Sequence, residues 1–181
     1  MMRKDSPTMT KTIVFSTFLG CDIETLCRNH NGDPYVMLNL DYKRFSFDGN
    51  NKFPRNYVDC VEQNIGKVDV IFLSSHKAVR KELKERRIKH FLIYPSITLK
   101  DSWIVKMRKN GYNESLIKKI RDNFDQLIFN LQSENSPLVY KYQLTERTPS
   151  LTIDTIEYAL SDDDLFITKF HNSKDYVGKV E

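Results

Sequence analysis

The sequence predicts an α/β domain in which strands and helices alternate around a parallel sheet. Two runs, residues 68–74 and 90–94, are almost continuously apolar, as strands buried on both faces of a parallel sheet are. Other segments carry an apolar residue every three or four positions, which is the helical period. Glycine, proline and asparagine separate the two kinds of segment and mark where each one ends.

The individual elements follow from local composition. Residues 12–18 predict the first strand because they are rich in β-branched and aromatic side chains. A short helix, capped by Asp22 or Thr25, then runs to about residue 29. Pro54 begins a later helix, because the N–H that proline lacks is one that the first turn cannot bond. The remaining predicted elements are strand 35–40, helix 55–65, strand 68–74, helix 77–87, strand 90–94, and helices 99–109 and 114–131.

The chain of 181 residues has the length of a single domain. We expect a disordered segment at residues 1–11, the α/β domain at 12–135 and a C-terminal extension at 136–181. Within the extension, residues 138–144 and 151–158 are expected to be extended or partly helical. Three consecutive aspartates at 162–164 predict an acidic tail.

Composition excludes several classes of protein. Apolar residues make up 40% of the chain, enough for a core, but no apolar run reaches the ~18–20 residues that span a bilayer. The first residues show no signal-peptide pattern. Cys21, Cys27 and Cys60 contain no CxxC pair, and the four histidines are scattered. We therefore expect reduced thiols, a cytoplasmic location, and neither a metal site nor a membrane partner.

Positive charge is concentrated in the middle of the chain. Residues 76–121 contain 14 Lys and Arg but 4 Asp and Glu, although the whole chain has a formal charge of only +4. Such a segment suits a polyanion, either nucleotide phosphates or a nucleic acid. The alternative is an ordinary helix surface with i,i+4 charge pairs, which residues 77–89 favour slightly.

The junction after the first predicted strand has the layout of a phosphate-binding loop. A strand, a glycine turn and a helix allow backbone N–H groups to hold anionic oxygens, with Gly20, Cys21 and Thr25 as the candidate contacts. If Thr25 supplies the magnesium hydroxyl, the preceding Gly-Lys pair of the motif falls on Ile23 and Glu24. The loop therefore lacks the lysine that such loops use.

The same residues allow a rival interpretation. The string Asp22-Ile23-Glu24-Thr25 resembles the first metal-binding motif of DEDD-type 3′–5′ exonucleases, in which two acidic residues on a strand hold divalent ions. A glycine precedes the string, and no second strand supplies an obvious partner.

A second candidate site follows the strand at residues 68–74. Ser75, His76 and Arg80 place a hydroxyl, an imidazole and a guanidinium at a helix N-terminus, which suits an anion or a nucleoside. The alternative is that Ser75 caps the helix and His76 is half exposed. No arrangement of the Ser-His-Asp type is recognisable.

A third candidate site lies at the end of the helix predicted at residues 99–109. Lys106 and Arg108 precede Gly111, and cations before a glycine hinge suit a mobile lid that closes on phosphates. The alternative is a basic helix end that is favoured by the helix dipole.

Taken together, these stretches resemble a group of small P-loop proteins, found largely in bacteriophages, that are related to nucleoside-monophosphate kinases. The resemblance covers about residues 12–131. Its most specific part is VDVIFLSSHKAVR, followed by IYPS and by the R-x-x-G pattern that ends at Gly111. It implies a three-layer P-loop kinase-like fold with a parallel central sheet.

The resemblance also implies roles for particular residues. The phosphate loop would be residues 18–25, and the acceptor nucleotide would lie near Asp41 and Ser75-His76. Lys106 and Arg108 would be lid cations, so the substrate-binding set is Asp41, Ser75, His76, Arg80, Lys106 and Arg108, and the catalytic candidates are Asp41, Arg80 and Arg108. ATP and magnesium would be the cofactors of a functional site.

The leading hypothesis is a degenerate nucleotide-kinase-like protein that has lost phosphoryl transfer and acts by binding a nucleotide or a protein. It would be a phage factor in the host cytoplasm. One alternative is an active deoxynucleoside-monophosphate kinase whose cation is Arg28, Arg80 or Arg108. Another is a nucleic-acid-binding protein or DEDD-type nuclease, and we expect a nucleic-acid partner less than a nucleotide or protein partner.

Overall fold

The computed structural model describes residues 11–161, apart from residues 31, 33 and 47–51. Residues 1–10 of the predicted disordered segment at 1–11, the acidic tail, and parts of the turn at 31–34 and the loop at 46–54 lie outside the described residues. In chain order the elements are β1 (Ile13–Thr17), α1 (Ile23–His30), β2 (Met37–Asn39), α2 (Lys43–Ser46), α3 (Arg55–Asn64), β3 (Val70–Ser74), α4 (Lys77–Glu85), β4 (His90–Pro95), a 3-10 turn (Ile97–Leu99), α5 (Lys100–Lys109), α6 (Glu114–Gln132), β5 (Val139–Leu144) and α7 (Ile153–Ser161).

The described strands form one five-stranded sheet in the order β2-β3-β1-β4-β5, and every pair is parallel. Helices cover both faces. The predicted α/β class is confirmed, and the architecture is consistent with a three-layer P-loop kinase-like fold. The sequence pattern did not predict α2, a single turn of four residues.

The alternation of side chains along the strands separates two layers of core. Ile13 and Phe15 of β1 belong to the layer that packs against α1, α5, α6 and α7, whereas Val14 belongs to the layer formed with α3 and α4. In the first layer the Phe15 ring stacks against Phe72 and Phe91, with ring centroids 5.5 and 5.1 Å apart. This row of rings joins the three central strands side by side.

The residues after position 135 belong to the sheet. β5 pairs with β4 along its whole length, from His90 opposite Val139 to Pro95 opposite Leu144. α7 then buries Ile156 and Ala159 in the first core layer. The predicted C-terminal extension therefore supplies an edge strand and a helix of the fold.

Candidate functional site

The candidate site lies where two neighbouring strands send the chain to opposite faces of the sheet. β1 leads to α1 in the first core layer, and β3 leads to α4 in the second. In open α/β sheets such a divergence opens a crevice at the carboxyl ends of the strands, where ligands bind. A cleft of about 800 Å³ lies at this point, lined by the ends of β1, β2 and β3, by residues 18–25 and by the α5–α6 turn at 109–113.

The loop between β1 and α1 packs against α5. The indole N–H of Trp103 donates a hydrogen bond of 2.9 Å to the carbonyl oxygen of Leu19. Gly20 has a φ of +94°. A Cβ atom at Gly20 would lie only 2.8 Å from Trp103 Nε1, so no other residue fits here without displacing the indole. Trp103 therefore fixes the loop backbone.

The loop passes directly into α1. Asp22, with a φ of +59°, is the last residue before α1 and takes the left-handed conformation that favours glycine. The two positions where the sequence spacing places the Gly-Lys pair of a phosphate-binding motif, Ile23 and Glu24, lie in the first turn of α1. Ile23 is buried in the first core layer. Residues 18–25 contain no lysine or arginine.

The side chain of Cys21 is turned into the protein. It is buried in the first core layer, and burial raises the pKa of its thiol to about 12 although the charge of Lys106 opposes the rise. A neutral, buried thiol is a packing group, so Cys21 can offer a ligand only its backbone. Of the other predicted cofactor contacts, Gly20 and Thr25 both line the cleft.

The charges that line the cleft are balanced rather than basic. The described cations are Arg28, Lys43 and Lys109, and the described carboxylates are Asp22, Glu24 and Asp41. Arg28 lies 3.5 Å from Glu24 in an exposed ion pair, and Asp41 Oδ1 accepts a hydrogen bond of 3.0 Å from the backbone N–H of Lys43. A triphosphate would therefore meet as many carboxylates as cations.

The second predicted cluster lies beside the cleft, with only the preceding Ser74 in its lining. The cap of α4 is His76, whose Nδ1 accepts a hydrogen bond from the N–H of Ala78 at 3.4 Å, and not Ser75 as the sequence allowed. Ser75 instead extends the sheet, because its N–H donates to the carbonyl oxygen of Thr17 at 3.0 Å.

Arg80 is held in an internal ion pair. Its Nη1 lies 2.9 Å from Glu134 at the end of α6, and its Nε donates to the carbonyl oxygen of Ser75 at 3.1 Å. The two charged side chains are only 8% and 11% exposed, and burial lowers the pKa of Arg80. These contacts give Arg80 a structural role in joining α4 to α6.

The predicted lid cations, Lys106 and Arg108, do not line the cleft. Lys106 Nζ lies 4.8 Å from the centre of the Trp103 ring, and Arg108 forms an ion pair of 2.9 Å with Glu114. The α5–α6 turn reaches the cleft instead through its next residues, including Lys109 and Tyr112. The glycine at 111 indicated this turn, but nothing in the sequence showed which side chains beside it face the cleft.

Tyr112 stands close to the loop. Burial raises the pKa of its hydroxyl, and the neighbouring Cys21, Asp22 and Glu24 raise it further, although the backbone N–H of Gly20 opposes the rise. Tyr112 was not among the predicted site residues, because nothing near it in the sequence distinguishes it from an aromatic residue of the core.

Much of the basic charge at residues 76–121 is paired within the fold. Lys84 joins Arg80 on Glu134 at 2.8 Å, and Arg86 contacts both Glu62 at 3.0 Å and Glu82 at 2.8 Å. Similar pairs hold Lys100 to Asp125 and Lys81 to Glu85. The interpretation as a helix surface with charge pairs therefore fits this segment better than a nucleic-acid interface.

The nuclease interpretation requires two acidic residues on a strand. Here Asp22 lies in the loop and Glu24 in the first turn of α1. Within the described ranges, no group of three or more His, Cys, Asp and Glu side chains is placed to hold a metal ion.

No protein-family model matches this chain, and no curated protein matches it either. In the part of the chain that the structure describes, no helix combines the length and the apolar character needed to cross a membrane.

Proposed function

We propose that this protein binds a nucleotide, of the size of a deoxynucleoside monophosphate, in the cleft at the carboxyl ends of β1, β2 and β3, and that it does not transfer a phosphoryl group. It would be a degenerate P-loop kinase-like protein. The observation that carries the proposal is the combination of an open cleft with a loop in which Ile23 and Glu24 stand where the sequence spacing places the glycine and lysine of the motif.

Binding is supported by the position and the size of the cleft. It lies at the switch point of a parallel sheet, where α/β proteins bind ligands. Its volume of about 800 Å³ falls within the usual range for small-molecule sites. The start of α1 lines the cleft, so its first backbone N–H groups would bind one phosphate group.

The loss of phosphoryl transfer is supported by the charges. Transfer requires cations that stabilise the charge spread over the moving phosphoryl group. At the loop, a buried isoleucine and the exposed Glu24 occupy positions 23 and 24. Arg80 and Arg108, two of the catalytic candidates, are engaged by Glu134 and Glu114.

Calorimetric titration with the four deoxynucleoside monophosphates and with magnesium-ATP tests the proposal, with product formation measured in the same samples. We expect binding of a monophosphate without turnover. Asn39→Trp, at the end of β2 in the cleft wall, should weaken binding at least about tenfold. Asn123→Trp, an exposed residue of α6 outside the cleft lining, is the matched control and should bind normally.

An active deoxynucleoside-monophosphate kinase is the second candidate function. Arg28 and Lys109 favour it, because both line the cleft and, among the described residues, Arg28 pairs with Glu24 through an exposed contact. Turnover of magnesium-ATP that Arg28→Ala abolishes would establish this function. If the titrations show neither binding nor turnover, both nucleotide functions are refuted, and protein interaction is the hypothesis to test next.

A further inference from the structure

The strand β3 ends differently toward its two neighbours, β1 and β2. Toward β1 the ladder continues one residue past the end of β3, where the N–H of Ser75 donates directly to the carbonyl oxygen of Thr17 at 3.0 Å. Toward β2 the ladder is regular through the bonds from Val70 N–H to the Val36 carbonyl at 3.2 Å and from Leu40 N–H to the Phe72 carbonyl at 2.9 Å.

The next bond of the β2–β3 ladder is interrupted by a side chain. In a parallel pair, donors from one strand recur every second residue, so Ser74 N–H should donate to the Leu40 carbonyl. Instead, Ser74 N–H donates to the hydroxyl oxygen of Tyr57 at 3.1 Å, and that hydroxyl donates to the Leu40 carbonyl at 2.8 Å. The phenol of Tyr57, from α3, is inserted into the last hydrogen bond between the two strands.

The insertion widens the sheet at its carboxyl edge. A direct bond would bring the Ser74 nitrogen and the Leu40 oxygen to about 2.9 Å, whereas a bridging hydroxyl with tetrahedral geometry holds them about 5 Å apart. Both Leu40 and Ser74 line the cleft, and Asp41 follows Leu40 directly. The separation therefore lies in the wall of the proposed binding site.

The Tyr57 ring is held firmly enough to keep this position. The residue is completely buried, and its ring packs against Phe45 and Phe53 with centroids 5.0 and 5.8 Å away. Burial raises the pKa of its hydroxyl far above the ordinary value, so the group stays protonated and can donate and accept at once. Both backbone groups are thereby satisfied without contacting each other.

We propose that Tyr57 is a positioning residue, which separates β2 and β3 at their carboxyl ends and so shapes the wall of the cleft in which a deoxynucleoside monophosphate binds. The ligand class rests on the proposed function, whereas the separation of the strands does not. Tyr57 acts through the backbone of Leu40 and Ser74 and is not itself a ligand contact.

The separation is tested by NMR in the full chain, from the scalar coupling that passes through a hydrogen bond between an amide nitrogen and a carbonyl carbon. In the native protein no coupling should join Ser74 nitrogen to Leu40 carbonyl carbon, and its presence would overturn the proposal even if no variant folds. In Tyr57→Phe the coupling should appear, because the strands close. Its absence in a folded variant would show that the hydroxyl does not hold them apart.

The effect on binding is measured by calorimetry with the deoxynucleoside monophosphates. Tyr57→Phe should bind about tenfold more weakly, while Tyr94→Phe should bind as the native protein does. Tyr94 is a matched control because it is also buried and does not line the cleft. Equal binding by all three proteins would overturn the role of Tyr57 in positioning. If the native protein binds none of the probes, the proposed function fails, and the NMR coupling alone decides the inference.

Discussion

The packing of the β1–α1 loop against α5 makes a specific prediction about Gly20. A Cβ atom there would lie 2.8 Å from Trp103 Nε1 and 3.2 Å from Met107 Cγ. Both neighbours are buried, so neither can move away into solvent. Gly20→Ala should therefore destabilise the protein by two separate effects, one in the backbone and one in the packing.

The magnitude follows from the two effects. A backbone φ of +94° costs a residue with a Cβ atom about 1–2 kcal/mol. Forcing a methyl group into a packed core costs about 1–3 kcal/mol more. The free energy of unfolding should therefore fall by about 2–5 kcal/mol.

Gly111→Ala separates these two effects. Gly111 has a φ of +76°, but its Cβ atom would have nothing within 4 Å, so this variant should show the backbone cost alone. Urea unfolding can be followed through the fluorescence of Trp103, the single tryptophan of the chain. Gly20→Ala should lose about 1–3 kcal/mol more than Gly111→Ala. Equal losses in the two variants would refute the contact between the loop and α5.

Three further predictions concern charge and pH. Glu134→Gln should lower the free energy of unfolding by about 3 kcal/mol in urea at neutral pH, because it leaves the buried Arg80 without a counter-charge; an unchanged stability would contradict the ion pair. Burial lowers the pKa of His90, so the native protein should lose stability as the pH falls below 6.5, where the unfolded chain takes up the proton first. His90→Asn should lose less between pH 7.5 and 5.5, and a slope as steep as the native one would exclude His90 as its cause. Glu24→Lys should raise the calorimetric affinity for magnesium-ATP at least about tenfold, because it replaces an exposed carboxylate of the cleft lining by a cation; no gain would contradict the placement of phosphate at this loop.

The fold was predictable because a strand that is buried on both faces of a sheet needs apolar residues along its length, and such runs can be seen in the sequence. The strands at 68–74 and 90–94 had to be apolar along their length, and both occupy central positions in the sheet. β5 was harder to place. All of its residues except Leu144 are partly or fully exposed at the sheet edge, so no continuous apolar run marked it as a strand.

The site was less predictable because its side chains form hydrogen bonds and ion pairs with residues that are far away in the sequence. Arginine side chains often bind anions, but Arg80 pairs with Glu134, 54 positions further along the chain. The role of Tyr57 depends on two backbone groups, each 17 positions away. A local sequence pattern cannot predict contacts between residues that are so far apart in the chain. The position of the loop at the end of β1, by contrast, followed from the strand–glycine–helix order alone.

Binding in the cleft can be tested most directly by titrating the native protein with deoxynucleoside monophosphates while its amide signals are followed by NMR. The account predicts that one monophosphate shifts the signals of residues 18–25, 39–43 and 109–113, which surround the cleft. It also predicts that magnesium-ATP added afterwards yields no diphosphate. Signals that stay unchanged at millimolar nucleotide, or that shift only at other surfaces, would contradict it.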